Sequence, residues 1–275
     1  MVKILKKDQL AETIFRLRLE APKIAQKHKA GQFVIIRIDA DGERIPLTIA
    51  NADASDGWIE IIVQAVGKST KKLMTFTEND SICDLAGPLG MPTHVEKFGK
   101  VLCVGGGLGA APLFPIAKAM KNAQNSVSTI IGARNKDLVI LQDDFDKITD
   151  NLYVTTDDGS AGTKGFAADV IKKLLSDGEK FDLTVVVGPP IMMKFTSQLT
   201  IANGIKTFVS LNPIMIDGTG MCGGCRVSVG GETKFACVDG PEFDASLVNW
   251  DELLNRLGGH EKIAHKNQAH NCKAE

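Results

Sequence analysis

The chain has 275 residues, of which 44% are hydrophobic and 24% are charged, and its formal net charge is −1. This length accommodates about two domains, and the composition is typical of globular proteins. The near-neutral charge gives no indication of a nucleic acid or an anionic membrane as partner. Because the N-terminus lacks the apolar core of a signal peptide and no apolar run approaches ~20 residues, we expect a cytoplasmic protein.

Residues 1–97 are predicted to form an antiparallel β-barrel. Phe15, Leu17 and Leu19 alternate with charged residues, and further β-type runs are visible at 31–38 and 58–63. Turns rich in Gly, Asp and Pro separate the runs, a pattern typical of small barrels. Two polar stretches, 44–48 and 67–70, offer an arginine, hydroxyls and backbone N–H groups to a ligand. Taken alone, ordinary polar loops are the better interpretation of both.

The pattern changes near residue 98, and residues 98–211 are predicted to form an α/β domain. A buried strand at 101–104 precedes the glycine-rich turn 105–109, which opens an amphipathic helix. Alternating strands and helices predict a parallel, doubly wound sheet. The further strands are expected at 127–132, 152–156, 182–187 and 207–211.

Three loops of this half are expected at the carboxyl ends of its strands, where doubly wound sheets bind nucleotides. The turn 105–109 has few Cβ atoms, so its backbone can approach a pyrophosphate at the N-terminus of the following helix. Asp157 and Asp158 follow the third strand, and Gly188 and Pro189 follow the fourth. Each loop alone is a weak signal, whereas together they predict a dinucleotide site.

The segment 212–257 is rich in glycine and contains the clustered cysteines Cys222, Cys225 and Cys237. A cysteine at 217 would complete C-x4-C-x2-C…C, the plant-type ligand spacing of a [2Fe–2S] cluster, but Asp217 stands there. Since the segment has too little apolar material for its own core, we expect a metal to organise it. A structural zinc site is the rival interpretation, and zinc tolerates an aspartate ligand. The single CxxC pair and the glycines of the loop favour iron–sulfur.

The other cysteines and the histidines indicate no further chemistry. Cys83 and Cys103 lie in strand-like apolar surroundings and are interpreted as buried thiols. A short helix is expected from an N-cap at Asn249 through Leu257, followed by a polar C-terminal tail at 258–275. Solvated side chains are favoured over a metal tract for the tail residues, which include Cys272, His260, His265 and His270.

The order of these parts resembles a known superfamily. A barrel, the string 105–115 (GGGLGAAPLFP) and a C-terminal iron–sulfur loop are together similar to the ferredoxin–NADP reductase superfamily. The resemblance is to its branch of dihydroorotate dehydrogenase electron-transfer subunits. Within that branch, 215–227 (MIDGTGMCGGCRV) and 237–244 (CVDGPEFD) resemble the small (alpha) subunits of NADH-dependent reduced ferredoxin:NADP oxidoreductases, a group also called sulfide dehydrogenase subunits. The similarity spans residues 1 to about 257.

The resemblance implies FAD on the barrel, NAD(H) on the Rossmann-like α/β domain and a [2Fe–2S] cluster on the loop. It implies an oxidoreductase subunit that exchanges a hydride between NAD(H) and FAD and passes single electrons through the cluster. The implied partner is a larger flavo-iron–sulfur subunit, NADPH- and ferredoxin-linked, in an electron-bifurcating heterodimer. No catalytic acid or base is expected, because the cofactors carry the chemistry.

Two alternatives stay open. The first is the electron-transfer subunit of an NAD-dependent dihydroorotate dehydrogenase, whose pattern has cysteine where Asp217 stands. The second is a zinc-stabilised nucleotide-binding module without enzyme activity. The first differs from the favoured interpretation in its partner subunit, and the second differs in lacking flavin and iron–sulfur absorption.

The family's motifs assign residues to each group. The implied FAD contacts are Arg44, Pro46, Leu47, Thr48, Val63, Gln64, Gly67, Ser69 and Thr70, with Arg44 one position before the family's arginine. The implied NAD contacts are Gly106, Gly107, Gly109, Ala110, Ala111, Arg134, Asp157, Asp158, Gly188 and Pro189. The implied cluster ligands are Asp217, Cys222, Cys225 and Cys237. Because NADPH-using relatives place Ser and Arg where Asp157 and Asp158 stand, the carboxylates predict a preference for NADH.

Overall fold

The computed structural model describes residues 1–258. The expected polar tail beyond that point lies outside the described residues, together with Cys272, His260, His265 and His270. Two seven-stranded sheets and a two-stranded hairpin make up the β-structure of the described range. No helix in residues 1–258 is long and apolar enough to cross a membrane.

The first sheet is the expected barrel. Its strands are β1 (Val2–Ala11), β2 (Ile14–Glu20), β3 (Phe33–Arg37), β4 (Arg44–Asp53), β5 (Trp58–Gln64), β6 (Ser81–Ile82) and β7 (Asp84–Leu89). They pair antiparallel in the order β6-β1-β2-β5-β4-β3-β7, and helices α1 (Pro22–Ala25) and α2 (Lys68–Thr75) connect them. Because Cys83 alone separates the outer strands β6 and β7 in the chain, the sheet curls into a nearly closed barrel.

Alternation along each strand determines which side chains fill the barrel. Phe15, Leu17 and Leu19 of β2 are fully buried, and they pair across the ladder with the equally buried positions 63, 61 and 59 of β5. Successive side chains of a strand point to opposite faces. Ile62 and Gln64 of β5 therefore lie on the outer face, where they border a large cavity.

The second sheet is the expected doubly wound sheet. Its parallel strands are β8 (Lys100–Gly106), β9 (Ser126–Ala133), β10 (Asn151–Thr156), β11 (Thr163–Lys164), β12 (Leu183–Val187) and β13 (Lys206–Ser210). The helices are α3 (Ala110–Asn122), α4 (Gln142–Asp146), α5 (Ala167–Ser176) and α6 (Pro190–Ala202), with 3-10 turns at Gly107–Gly109 and Lys136–Leu138. The strand order β11-β10-β9-β8-β12-β13 reverses between β8 and β12. Such a reversal is where doubly wound sheets open a ligand crevice.

The C-terminal segment, residues 212–258, packs on this sheet. Strands β14 (Arg226–Val229) and β15 (Glu232–Phe235) form a hairpin, and β16 (Glu242–Asp244) pairs antiparallel with β13. A helix over 250–258 (α7) begins after Asn249, whose Oδ1 accepts the Glu252 N–H at 3.1 Å, as the expected N-cap requires. Val227, Phe243 and Trp250 share one buried core with Val209 of the sheet. The segment thus uses its few apolar residues to extend a neighbouring core.

Glu242 lies where the three parts of the molecule meet. Its carboxylate accepts a hydrogen bond from the Thr93 hydroxyl, in the connection between barrel and sheet. A Cβ on Gly31, in the barrel, would lie 2.8 Å from Glu242 Oε1, so that glycine permits the close approach. Burial raises the pKa of Glu242 to about 7, although the Thr93 hydrogen bond opposes the shift. The junction therefore contains a carboxyl group that titrates near neutral pH.

Candidate functional site

A cavity of about 1360 Å³ lies between the barrel, the parallel sheet and the C-terminal segment. This volume exceeds the roughly 300–1,000 Å³ of pockets for drug-sized ligands. The barrel contributes Phe33, Pro46, Leu47, Thr48, Ile62 and Gln64, and the C-terminal segment contributes Asn212, Pro213, Met215 and Pro241. The carboxyl edge of the sheet forms the remaining wall, so ligands of the barrel and of the sheet would meet here.

The glycine-rich turn is seated directly against β12. A Cβ on Gly109 would lie 2.7 Å from the Val187 carbonyl carbon and 2.9 Å from Gly188 Cα, which is closer than carbon atoms approach. Gly107 has a φ of +55° and nothing within 4 Å of its Cβ position, so its backbone borders open space. Helix α3 begins at Ala110, immediately after the turn. The arrangement fits a pyrophosphate, because backbone N–H groups at a helix N-terminus stand free of side chains.

The structure brings eight of the ten expected NAD contacts to the cavity. Ala110 is one exception, because it is fully buried beneath the turn. Asp158 is the other: its Oδ1 accepts the Ser160 hydroxyl at 2.6 Å and the Ser160 N–H at 2.9 Å, which lowers its pKa. The lining residues are Gly106, Gly107, Gly109, Ala111, Arg134, Asp157, Gly188 and Pro189. Asp157 is therefore the carboxylate at the cavity, whereas Asp158 shapes its own turn.

The expected FAD contacts divide between the cavity and two other places. Pro46, Leu47, Thr48 and Gln64 line the cavity. Val63 is fully buried in the barrel core, because it alternates with Ile62 and Gln64 along β5.

Arg44, Gly67, Ser69 and Thr70 do not line the cavity. Thr70 Oγ1 accepts the Gly67 N–H at 3.0 Å at the N-terminus of α2. Ser69 Oγ donates to Glu43 Oε2 at 2.6 Å, which joins α2 to the residue before Arg44. Gly67, Ser69 and Thr70 therefore lie at the N-terminus of α2, where Ser69 contacts the residue that precedes Arg44.

The four expected cluster ligands fall into two pairs on the loops around the β14–β15 hairpin. The sulfurs of Cys225 and Cys237 lie 3.1 Å apart and both thiols are buried, whereas Cys222 is exposed. The pKa of Cys237 is raised to about 12, mainly by burial and to a smaller extent by the hydrogen bond with Cys225. Asp217 accepts the N–H of Thr219 at 2.9 Å and that of Cys222 at 2.8 Å, and these bonds lower its pKa. An ionised carboxylate thus stands beside Cys222.

This arrangement fits a two-iron cluster better than one zinc ion. A tetrahedral zinc site gathers four ligands at 2.0–2.3 Å around a single ion. Across residues 1–258, no three His, Cys, Asp or Glu side chains are grouped closely enough to hold one metal ion. Two separate pairs would offer two ligands to each iron of a [2Fe–2S] cluster held by these four residues. The Gly224 N–H donates to the Cys222 sulfur and the Cys237 N–H to the Cys225 sulfur, both at 3.5 Å, and hydrogen bonds to sulfur are one means of tuning such clusters.

The cavity also contains residues that the sequence motifs did not indicate. They include Gly132, Phe166, Lys172, Met192 and Phe195. Phe166 and Phe195 are 65% and 59% exposed, which is unusual for large apolar side chains. Helical periodicity does not indicate that Phe166 and Phe195 border a cavity, since their position there depends on how α5 and α6 pack. Thr155 also lines the cavity, and the sequence indicates it because it lies near the carboxyl end of the third strand, two positions before Asp157.

Family models match each part of the chain. Residues 2–94 match the oxidoreductase FAD-binding domain, and residues 103–198 match the oxidoreductase NAD-binding domain. Residues 212–249 match the iron–sulfur cluster binding domain of dihydroorotate dehydrogenase B. The expected fold class and the three expected cofactor types, FAD, NAD and iron–sulfur, are confirmed at the level of these domains.

Similar proteins extend over almost the whole chain. A Thermotoga maritima homologue of the dihydroorotate dehydrogenase B (NAD(+)) electron transfer subunit is 50% identical, covering 96% of this chain and 94% of that protein. The electron transfer subunit of Fusobacterium nucleatum is 34% identical, with coverages of 87% and 94%. A solved structure of NADH-dependent reduced ferredoxin-NADP oxidoreductase, studied for flavin-based electron bifurcation, is 48% identical with a TM-score of 0.90 over 98% of both chains.

Proposed function

The chain belongs to the family of dihydroorotate dehydrogenase B electron-transfer subunits, and from this premise we propose a more specific role. It acts as the NAD(H)-linked small subunit of an electron-bifurcating NADH-dependent reduced ferredoxin:NADP oxidoreductase. The observation that carries the proposal is the shared cavity, where the barrel, the glycine-rich turn and the segment preceding Asp217 meet. The likeness to a bifurcating oxidoreductase over 98% of both chains supports the specific reaction.

The protein's own residues bind and orient the groups that react. Bound NADH and FAD supply hydride transfer, and a bound [2Fe–2S] cluster supplies one-electron transfer. The turn at Gly106, Gly107 and Gly109, with Ala110 and Ala111 behind it, holds the NAD pyrophosphate. Gly188 and Pro189 close the other side of the crevice. Arg134 and Asp157 serve the adenosine half, where the Asp157 carboxylate accepts a ribose hydroxyl and repels a 2′-phosphate.

On the barrel, Pro46, Leu47, Thr48 and Gln64 contact the part of FAD that faces the cavity, and Val63 contributes its backbone. Arg44, Gly67, Ser69 and Thr70 hold the FAD pyrophosphate at the N-terminus of α2. The hydrogen bond between Glu43 and Ser69, which brings Arg44 towards that terminus, supports this division. Domain bounds of 1–97, 98–211 and 212–257, with the tail at 258–275, follow this assignment of cofactors.

Asp217, Cys222, Cys225 and Cys237 are proposed as the cluster ligands. The Cys225–Cys237 pair serves one iron, and Asp217 with Cys222 serves the other. Asp217 supplies an oxygen donor where the family's pattern has sulfur. Its hydrogen bond from the Cys222 N–H supports this role, because it holds the carboxylate beside Cys222.

A larger flavo-iron–sulfur subunit, linked to NADPH and ferredoxin, is the proposed partner. Apolar side chains surround the cluster loop and are strongly exposed, with Met221 at 90%, Ile216 at 50% and Val238 at 42%. Exposed apolar clusters of this kind are typical of protein interfaces. The exposed Cys222 lies among them, so a partner seated here would approach the cluster closely.

Purification under anaerobic conditions from the native host tests the proposal. We expect FAD, iron and acid-labile sulfide in the preparation, together with a larger flavo-iron–sulfur chain. A dihydroorotate dehydrogenase catalytic subunit in place of that chain would transfer the assignment to the alternative supported by the 34% identical relative. Zinc without flavin would contradict both assignments.

A further inference from the structure

A buried hydroxyl at the end of β10 has no hydrogen-bond partner among the described residues. Thr155 is 1% exposed, and its Oγ1 is unpaired. A buried hydroxyl that makes no hydrogen bond costs about 1–3 kcal/mol, and a ligand that supplied the bond would recover this free energy. Thr129 and Thr184 of the same sheet have unpaired hydroxyls too, but of these three residues only Thr155 lines the cavity.

The space beside Thr155 is left open by a glycine. Thr155 pairs with Gly132 of β9, and both residues line the cavity. A Cβ on Gly132 would lie 3.1 Å from Thr155 Oγ1 and 3.8 Å from the carbonyl oxygen of Gly105. The space is therefore bordered by a hydroxyl, which donates and accepts, and by a carbonyl oxygen, which accepts. A ligand hydroxyl is complementary to both.

The position of β10 in the sheet identifies which part of a dinucleotide reaches this space. β10 lies two strands from β8, or about 10 Å from the glycine-rich turn at a spacing of ~4.8 Å per strand. The barrel reaches the turn itself, since β5 contacts Gly107–Gly109. With the pyrophosphate at the turn and the nicotinamide directed at the barrel, the adenosine half extends along β9 to β10.

We propose that Thr155 is a specificity-determining residue whose hydroxyl hydrogen-bonds a ribose hydroxyl of the adenosine half of NAD(H), beside Asp157. The inference rests on the proposed function, because it takes NAD(H) as the occupant of the cavity. Thr155 and Asp157 then hydrogen-bond the same ribose, Thr155 through a neutral hydroxyl and Asp157 through a carboxylate. Gly132 keeps the space between them and the turn free of side chains.

The test compares two valine substitutions that remove the same kind of group. Thr155→Val and Thr184→Val each replace an unpaired buried hydroxyl by a methyl of equal size, so neither should lower the Tm. In the holoprotein, Thr155→Val should bind ADP-ribose about 3- to 10-fold more weakly, the loss expected for one neutral hydrogen bond. Thr184→Val should bind it like the wild type, and Thr155→Ser should restore affinity.

Nicotinamide mononucleotide, which lacks the adenosine half, provides the second probe. Its affinity should be unchanged in both valine variants when measured by calorimetry. Equal ADP-ribose affinity in Thr155→Val and Thr184→Val would overturn the role of Thr155 alone, and so would an equal loss for both probes in Thr155→Val. If the wild-type holoprotein binds neither probe, the proposed function fails with it.

Discussion

Gly109 offers a direct test of how the glycine-rich turn is seated against β12. In Gly109→Ala, the new Cβ would lie 2.7 Å from the Val187 carbonyl carbon and 2.9 Å from Gly188 Cα. Non-bonded carbon atoms prefer separations of about 3.5–4.0 Å, so the overlap amounts to roughly 1 Å. Both atoms belong to the backbone and cannot rotate away. The turn and the start of α3 must therefore move out from the crevice.

Overpacking of this kind costs about 1–3 kcal/mol. For a chain of this size, that corresponds to a decrease in Tm of roughly 2–10 °C. The displaced turn should also slow the reduction of bound flavin by NADH at least about tenfold, because misplacement by ~1 Å is costly for a positioned reactant. Flavin content should stay unchanged, since the barrel is untouched.

Gly178→Ala is the control for Gly109→Ala. Gly178 has a φ of +88° and nothing within 4 Å of its Cβ position, so alanine there introduces backbone strain without a clash. Its Tm should fall by a few degrees, while the NADH reaction proceeds at the wild-type rate. Differential scanning fluorimetry and anaerobic stopped-flow absorbance measure the two quantities. A Gly109→Ala protein with wild-type Tm and wild-type kinetics would refute the packing of the turn on β12.

Four further substitutions test the electrostatics of the molecule. Asp157→Ser should improve the kcat/KM ratio of NADPH over NADH, whereas Asp158→Ser should change it little because Asp158 is bound to Ser160; the reverse order would contradict the placement of the two carboxylates. The pKa of Glu242 is raised from 4.5 to about 7 in the folded protein, so the wild type loses stability as the pH rises through this range. Over the same range, the free energy of unfolding of Glu242→Gln should rise relative to that of the wild type by up to about 3 kcal/mol. A difference in urea unfolding that does not depend on pH would rule this out. Asp217→Cys should retain the cluster with a shifted reduction potential and EPR spectrum, and an unchanged spectrum would remove Asp217 from the ligand set.

Local sequence patterns were sufficient to predict the two sheets and the glycine-rich turn. The alternation at Phe15, Leu17 and Leu19 reflects a strand with one buried face, which is a property of neighbouring residues. The sequence reasoning located the turn at 105–109 and explained its glycines by approach to a pyrophosphate, and the structure adds a second reason, the close packing of Gly109 against β12. Both features are encoded within a few positions of the chain.

Features that depend on distant parts of the chain were not predictable. The core shared by Trp250 and Val209 arises because β16 joins the edge of the parallel sheet, and no local pattern encodes that pairing. Asp157 and Asp158 are equivalent in sequence, yet the turn closed by Ser160 leaves only Asp157 at the cavity. Likewise, the space beside Thr155 is open because Thr155 pairs with Gly132 of a different strand, and glycine has no side chain to fill it.

The central claim is that electrons from NADH pass through flavin to a cluster held by the C-terminal segment. Rapid mixing of the anaerobic holoprotein with NADH, followed by parallel absorbance and freeze-quench EPR, measures this most directly. The account predicts that flavin absorbance decreases first and that the EPR signal of a reduced [2Fe–2S] cluster follows, with the signal lost in Cys225→Ser. Flavin reduction without any cluster signal, or a cluster signal that precedes flavin reduction, would contradict it.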